Sequence, residues 1–469
     1  MWLRRWLLVP LLVALVVLGA WAYFVRPEAP PDSRLACHYG AYDLGDGRVA
    51  AVTPTSGPQS LRVTFMSGET WRLKPDPAAS QLVPSAFVAS IGWTDKPVEG
   101  VAVRFAPCSE GTVTVAGGTF AGTWRRQTFD VTDASFESHG LKLAGRLVMP
   151  RLEGAIPVAV MVHGSERDSA ILFNRMQYLL PASGVGVFVY DKRGTGKSQG
   201  SYSQDFNLLS DDAVAALKKA RALAGALASE VGFEGGSQAG WVAPLAGRKA
   251  NADFVVVGYG LAESPLAEDR EEVFDDLRKA GFGSADILAK AREITDATGR
   301  VMASDFTEGF DALDAVRAKY GKEPWYAKIE GEYTGDFLAY PNWTLRLLGP
   351  LVDVGTSWEY DPVPTLRGYE KPHLWMLAGR DSSAPSENTL RILREVQATR
   401  TNLDIVMFPT ADHGIIEFEE KNGEREHTRF SEGYFRLVAD WILFKDAKVD
   451  VQGPVVYSGK AATAAPVPQ

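Results

Sequence analysis

The sequence predicts an α/β protein: a mostly parallel sheet flanked by helices, carrying a helical insertion and preceded by a small β-rich domain. Three observations lead there. Short apolar runs that read as buried strands alternate with helical periods over 127–260 and again over 372–446. Between 261 and 371 that rhythm breaks and helical signals dominate. Ahead of it, 31–122 holds short β-prone pieces with no long helical period.

At the amino end, Arg4 and Arg5 precede an apolar run over 6–25, interrupted only by Pro10 and Gly19, and the next charge is Arg26. A run of about 20 apolar residues is long enough to cross a bilayer as a helix. The arginines predict a cytoplasmic N-terminus and export of the remainder. Ala20-Trp21-Ala22 fits a signal-peptide cleavage site, so 1–26 reads as a signal anchor or a signal peptide. Either way the chain is expected outside the cytoplasm, in the periplasm or at the cell surface. The length of the run favours the retained anchor, and with it a membrane contact.

Within 31–122 the pieces 61–65, 70–73 and 112–115 are separated by turn signals at Asp46-Gly47, Ser67-Gly68 and Gly117-Gly118. Cys37 and Cys108 are the only two cysteines and both fall here. In an oxidising compartment they could form one disulfide, and two separate buried thiols are the alternative. No chemistry is visible in this segment, whose expected role is support, docking or spacing.

The core opens with strand-like 128–131 and 141–148, followed by the apolar runs 157–162, 185–190, 254–259, 373–378 and 403–408. Ser210 before Asp211-Asp212 reads as a helix N-cap with carboxylates in the first turn. The insertion, 261–371, reads as a lid. Its first part predicts helices over 264–279, 284–298 and 306–320, with stop signals at Gly281, Gly299 and Gly321. Its second part is aromatic: Trp325, Tyr326, Tyr333, Phe337, Tyr340, Trp343, Trp358 and Tyr360 would line an acyl pocket or pack lid to core. The run Glu268-Asp269-Arg270-Glu271-Glu272 reads as a solvated helix face. A closing helix is expected over 434–444, and 447–469 reads as a disordered tail.

Composition supports a chain of several parts: 469 residues, 46% hydrophobic and 23% charged, exceed one domain. A net charge of -9 argues against a nucleic-acid partner. The chemistry concentrates at Gly235-Gly236-Ser237-Gln238-Ala239-Gly240, where a strand runs into a glycine-rich turn with serine at its apex. That is the shape of a nucleophile elbow, which holds a weakly nucleophilic hydroxyl clear of the sheet where a base can reach it. Alanine stands at position 239 where the pattern usually has glycine. Downstream, Gly379-Arg380-Asp381 and Asp412-His413-Gly414 each end a strand-like run, giving the order Ser, Asp, His. Ser237 is thus the candidate nucleophile, His413 the base and Asp381 the residue that fixes its tautomer, with Asp412 and Glu387 as rival carboxylates. The amide of Gln238 and that of Ser165, in the turn His163-Gly164-Ser165, are the candidate oxyanion donors. His163 itself reads as a packing residue. Gly194-Thr195-Gly196-Lys197-Ser198 lacks the spacing of a phosphate loop.

Taken together, His163-Gly164-Ser165, the stretch Tyr190-Asp191-Lys192-Arg193-Gly194-Thr195-Gly196-Lys197-Ser198, the elbow, Gly379-Arg380-Asp381 and Ala411-Asp412-His413-Gly414 resemble the α/β-hydrolase superfamily, in particular bacterial serine esterases, thioesterases and peptidase-like members. The resemblance spans roughly 129–444. It implies the α/β-hydrolase fold and a Ser237-His413-Asp381 triad with no metal and no organic cofactor. It also implies that the 190–198 stretch shapes the loops around the site. The activity expected is cleavage of a carboxylic ester or other small acyl substrate through an acyl-enzyme. Thioester or amide cleavage would use the same groups, and a non-catalytic binding module is the alternative of another kind.

Overall fold

The structure, a computed structural model, describes residues 31–55, 59–77 and 85–459. The apolar run 6–25 and the end of the tail, 460–469, lie outside the described residues. Among the described residues no helix is long and apolar enough to cross a membrane.

The β-rich segment closes into an eight-stranded antiparallel barrel, β1 (Gly40–Asp43), β2 (Val49–Pro54), β3 (Leu61–Phe65), β4 (Thr70–Pro75), β5 (Ala86–Ile91), β6 (Pro97–Phe105), β7 (Thr112–Ala116) and β8 (Gly122–Arg126). Closure comes from β8 returning to β1, Tyr42 opposite Arg126, so the domain runs past residue 122. Inward alternation fills it with Tyr42, Phe65, Phe87, Phe105 and Trp124, and closing removes the sheet edges that an open meander would expose. A disulfide joins Cys37, in the turn before β1, to Cys108, between β6 and β7, with Cα atoms 5.7 Å apart. The barrel is seated on the next domain: the Phe430 N–H donates to the Gly68 carbonyl at 2.9 Å. Gly68, at φ +106, is needed there because a Cβ would lie 2.3 Å from the Phe430 oxygen.

The second domain is built on a nine-stranded sheet made of β9 (Phe129–Ser138), β10 (Leu141–Pro150), β11 (Ile156–Val162), β12 (Gly186–Tyr190), β13 (Ala228–Gly236), β14 (Val255–Gly258), β15 (His373–Ala378), β16 (Leu403–Phe408) and, past the hairpin β17 (Ile416–Lys421) and β18 (Glu424–Phe430), β19 (Val455–Tyr457). Its order is β19-β16-β15-β14-β13-β11-β12-β10-β9. From β12 to β16 all neighbours are parallel, while β9, β10 and β19 add antiparallel edges. The parallel strands are buried on both faces, which is why they read as unbroken Val, Leu and Ile runs.

Helices α1 (Ala170–Phe173), α2 (Met176–Ala182), α3 (Phe206–Ala224) and α4 (Ala239–Ala250) precede the insertion. The insertion supplies α5 (Pro265–Lys279), α6 (Ala285–Ala303), α7 (Phe310–Tyr320), α8 (Thr334–Ala339), α9 (Asn342–Val352) and α10 (Val363–Gly368), and α11 (Glu387–Gln397) and α12 (Tyr434–Phe444) follow it. α3, α4 and α11 cover one face of the sheet, α2 and α12 the other. The insertion has a core of its own, around Phe274, Ile294, Phe310, Trp325, Tyr333 and Phe337.

Four expectations are corrected. α3 starts at Phe206, capped by Asp205, whose carboxylate accepts from the N–H groups of Asn207 and Leu208; Ser210 sits inside the helix. The tail is ordered as far as Gly459, because β19 pairs with β16 and the Gly459 N–H donates to Asp404 at 2.9 Å. Of the aromatics in the insertion, Tyr333, Phe337 and Trp325 are consumed by its own core, and Tyr340 and Trp343 are 51% and 69% exposed. The carboxylate run is not a solvated face: Asp269 is fully buried and accepts from the N–H groups of Tyr333 and Thr334 and the Thr334 hydroxyl.

Candidate active site

Strand β13 ends at Gly236 and α4 begins at Ala239, so Ser237 occupies the tight corner between them. It does so at φ +55, a conformation a serine seldom adopts, and the Ser237 N–H donates to the Gly258 carbonyl at 2.9 Å, locking the corner to β14. The small residues have a specific reason. A Cβ on Gly235 would stand 2.2 Å from the Val162 oxygen and 2.6 Å from the methyl of Ala239, so that methyl fills the space Gly235 leaves open. Alanine at 239 is therefore accommodated, fully buried, without disturbing the elbow.

The structure brings Ser237, His413 and Asp381 together. His413 Nε2 lies 3.2 Å from Ser237 Oγ, and its Nδ1 lies 3.0 Å from one Asp381 oxygen and 3.2 Å from the other. Each comes from the C-terminal end of a different strand, β13, β16 and β15. The Asp381 side chain is 1% exposed, and its Oδ1 accepts from the N–H groups of Ser383 at 3.1 Å and Ala384 at 2.8 Å. Burial pulls the His413 pKa down, but the hydrogen bond and charge of Asp381 outweigh it and leave it above 6.5. The rival carboxylates are placed elsewhere. Asp412 accepts from Ser382 and pairs with Arg425 at 2.8 Å, and it bonds His427 at 3.2 Å; Glu387 opens α11.

Gln238 and Ser165 border the same cavity as Ser237. Neither backbone N–H is engaged by another group among the described residues, and Gln238 leads into the positive end of α4. The Ser165 loop is held by groups whose part the sequence did not reveal. Lys192, 4% exposed, donates from Nζ to the Gly164 carbonyl at 2.8 Å and reaches the Gln238 side-chain oxygen at 3.4 Å. Because a peptide unit is planar and trans, drawing the Gly164 carbonyl toward Lys192 turns the Ser165 N–H the opposite way. The Tyr202 hydroxyl donates to the Ser165 carbonyl at 2.6 Å, and its ring sits 4.5 Å beneath the Lys192 ammonium. Burial brings the Lys192 pKa down to about 8, against the opposing charge of Glu166. Asp191 and the ion pair of Arg193 with Asp212, 2.6 Å apart, fix the remainder of that stretch, which the Tyr190-Asp191-Lys192-Arg193 motif had marked only as loop-shaping.

The cavity above Ser237 has a volume of about 180 Å³. The core contributes Phe206 and Trp241 to its walls, and the insertion contributes Pro265, Glu268, Glu332, Thr356 and Trp358. Glu268 and Glu332 gave no signal in the sequence beyond their charge. Ser237, His413, Gln238 and Ser165 border one cavity, with Asp381 hydrogen-bonded behind His413, and these residue types in this arrangement are chemically suited to acyl transfer.

No protein-family model matches the chain, and no curated protein matches it. Among solved structures it is similar to an esterase of Pyrococcus furiosus, with 15% identity over 61% of this chain and 84% of that one and a TM-score of 0.39. It is similar to the proline iminopeptidase of Mycobacterium smegmatis, with 16% identity over 60% of this chain and 91% of that one and a TM-score of 0.37. It is also similar to the acylaminoacyl peptidase of Pyrococcus horikoshii, with 13% identity over 87% of this chain and 55% of that one and a TM-score of 0.42.

Proposed function

We propose that this protein is a serine hydrolase that cleaves a carboxylic ester through an acyl-enzyme. The observation that supports it is the continuous contact from Ser237 Oγ through the His413 ring to the buried Asp381 carboxylate, 3.2 Å and 3.0 Å. In this reading Ser237 Oγ attacks the substrate carbonyl while His413 Nε2 takes its proton. Asp381 accepts the hydrogen bond from Nδ1–H and stabilises the imidazolium that forms. The N–H groups of Gln238 and Ser165 bind the oxyanion, and each such donor contributes about 10²–10³ in rate. As the tetrahedral adduct collapses, the leaving oxygen takes the proton from Nε2 and departs as an alcohol. Water then adds to the acyl-serine, giving its proton to His413, and the acid leaves with Ser237 restored.

Two further parts of the reading belong with it. The insertion serves as a lid, since five of its residues reach over Ser237. The protein works outside the cytoplasm, held or led there by the apolar run after Arg4 and Arg5, where the Cys37–Cys108 disulfide would persist. Hydrolysis of a panel of naphthyl esters by wild type and by Ser237→Ala tests the assignment. Wild-type turnover that disappears in a variant of unchanged melting temperature is the expected result. Turnover that survives in Ser237→Ala would place the nucleophile elsewhere.

A further inference from the structure

The cavity that Ser237 opens into holds two carboxylates that acyl transfer does not use. Glu268, in the first turn of α5, and Glu332, just ahead of α8, share it with Ser237 and His413, and among the described residues no lysine or arginine lines it. One turn further along α5 lies Glu272, 7% exposed and with no hydrogen-bond or ion-pair partner among the described residues. After burial itself, the charges that act most on Glu272 are those of Glu268 and Glu332. Burial raises all three pKa values, followed by the charge of Glu332 for Glu268, of Glu268 for Glu272, whose pKa rises to about 10, and of Asp269 for Glu332. Around these groups stand aromatic walls, Trp241, Trp358 and Phe206.

Glu272 is buried, Glu268 half-buried and Glu332 exposed at the cavity rim, and a ligand cation that enters between Glu268 and Glu332 relieves the repulsion among these carboxyl groups. Aromatic faces around the same space attract a cation as well. An alkyl or aryl chain would gain nothing from Glu268 or Glu332, and an anionic substrate would be repelled.

We propose that the cavity is built to receive a protonated amine of the substrate, so that the protein acts on an ester or amide whose reacting carbonyl is accompanied by an ammonium group, as in an α-amino acyl ester or a peptide with a free amino terminus. Glu268 and Glu332 bind the ammonium while Ser237 attacks the carbonyl. This rests on the serine-hydrolase reading and names the substrate class of that site.

The test compares the α-naphthyl esters of alanine, proline, leucine and phenylalanine with their N-acetylated counterparts, at a pH where the free amine is charged. The expected result is a kcat/KM at least about tenfold higher for a free amine than for its acetylated partner, falling by about ten- to a hundredfold in Glu332→Gln and Glu268→Gln, the range of a hydrogen bond to a charged group. Inhibition of the wild type by alaninamide against N-acetylalaninamide reads the same preference without any variant. Labelling by a fluorophosphonate probe is followed in parallel. A labelled enzyme with no preference for the amine, in turnover or in inhibition, overturns this inference and leaves the serine-hydrolase reading standing. A folded enzyme that is not labelled overturns that reading, and this inference with it.

Discussion

Replacing Asp381 by asparagine isolates the part this carboxylate plays. Its two oxygens have different partners: Oδ1 accepts from the Ser383 and Ala384 N–H groups, whereas the nearer contact to His413 Nδ1 is Oδ2, at 3.0 Å. In Asp381→Asn the two backbone donors hold the amide oxygen at the Oδ1 position, which leaves the NH2 group facing Nδ1. Donor would then meet donor unless His413 adopts the other tautomer, with its hydrogen on Nε2 pointing at Ser237 Oγ, and in that state it cannot take the serine proton. The loss expected in kcat is about 10⁴, or about 5.5 kcal/mol at 1.36 kcal/mol per tenfold. Stability should change by only about 1 kcal/mol, because the buried backbone donors keep their acceptor. The pH profile adds a second readout. Catalysis needs neutral His413, whose pKa is raised by Asp381 against the pull of burial, so activity in the wild type falls as pH drops through a value above 6.5. Without the aspartate charge the acid limb moves to lower pH. Initial rates across pH 4–9, with thermal melting of both proteins, make the measurement. A variant within tenfold of wild type, with an unmoved acid limb, would refute the assignment of Asp381.

Lys192→Met removes the tether on the Gly164 carbonyl and should lower kcat by about 10–100-fold with little change in KM, less than loss of a whole oxyanion donor. Since Lys192 loses its charge as pH rises through about 8, the wild-type rate should decline on that side, and the variant should lack this limb. Reduction or Cys37→Ser should destabilise the barrel by about 4 kcal/mol, from the loop-closure entropy of a 71-residue separation, as read by calorimetry. Arg193→Met strands Asp212, 1% exposed, and should cost about 3–5 kcal/mol in denaturant melts, most of it recovered when Asp212 is changed to leucine as well.

What the sequence revealed follows from how local each feature is. That Ser237, Asp381 and His413 belong together was legible because each comes at or shortly after the end of a largely buried strand, β13, β15 and β16, and because chain order limits the pairing. Closure of the barrel was not, since it depends on β1 meeting β8 some 80 residues later, a contact no local pattern encodes. The N-cap was misplaced because Ser210 followed by two aspartates mimics a helix start, while the true start, Asp205 before buried Phe206, is set by packing. The run 268–272 misled for a related reason. Helical spacing assigns its residues to faces, yet whether a face meets water or the cavity over Ser237 depends on the loop that brings Glu332 and Thr334 across, far along the chain. Lys192 belonged to a motif whose structural role was visible, but its reach to Gly164 required the fold.

The measurement that bears most directly on the central claim is reaction of the protein with a fluorophosphonate probe, followed by peptide mapping. The account predicts a single adduct on Ser237, formed at a rate that falls with His413→Ala and vanishes with Ser237→Ala. A folded protein that gives no adduct, or one whose adduct lies on another residue, would contradict it.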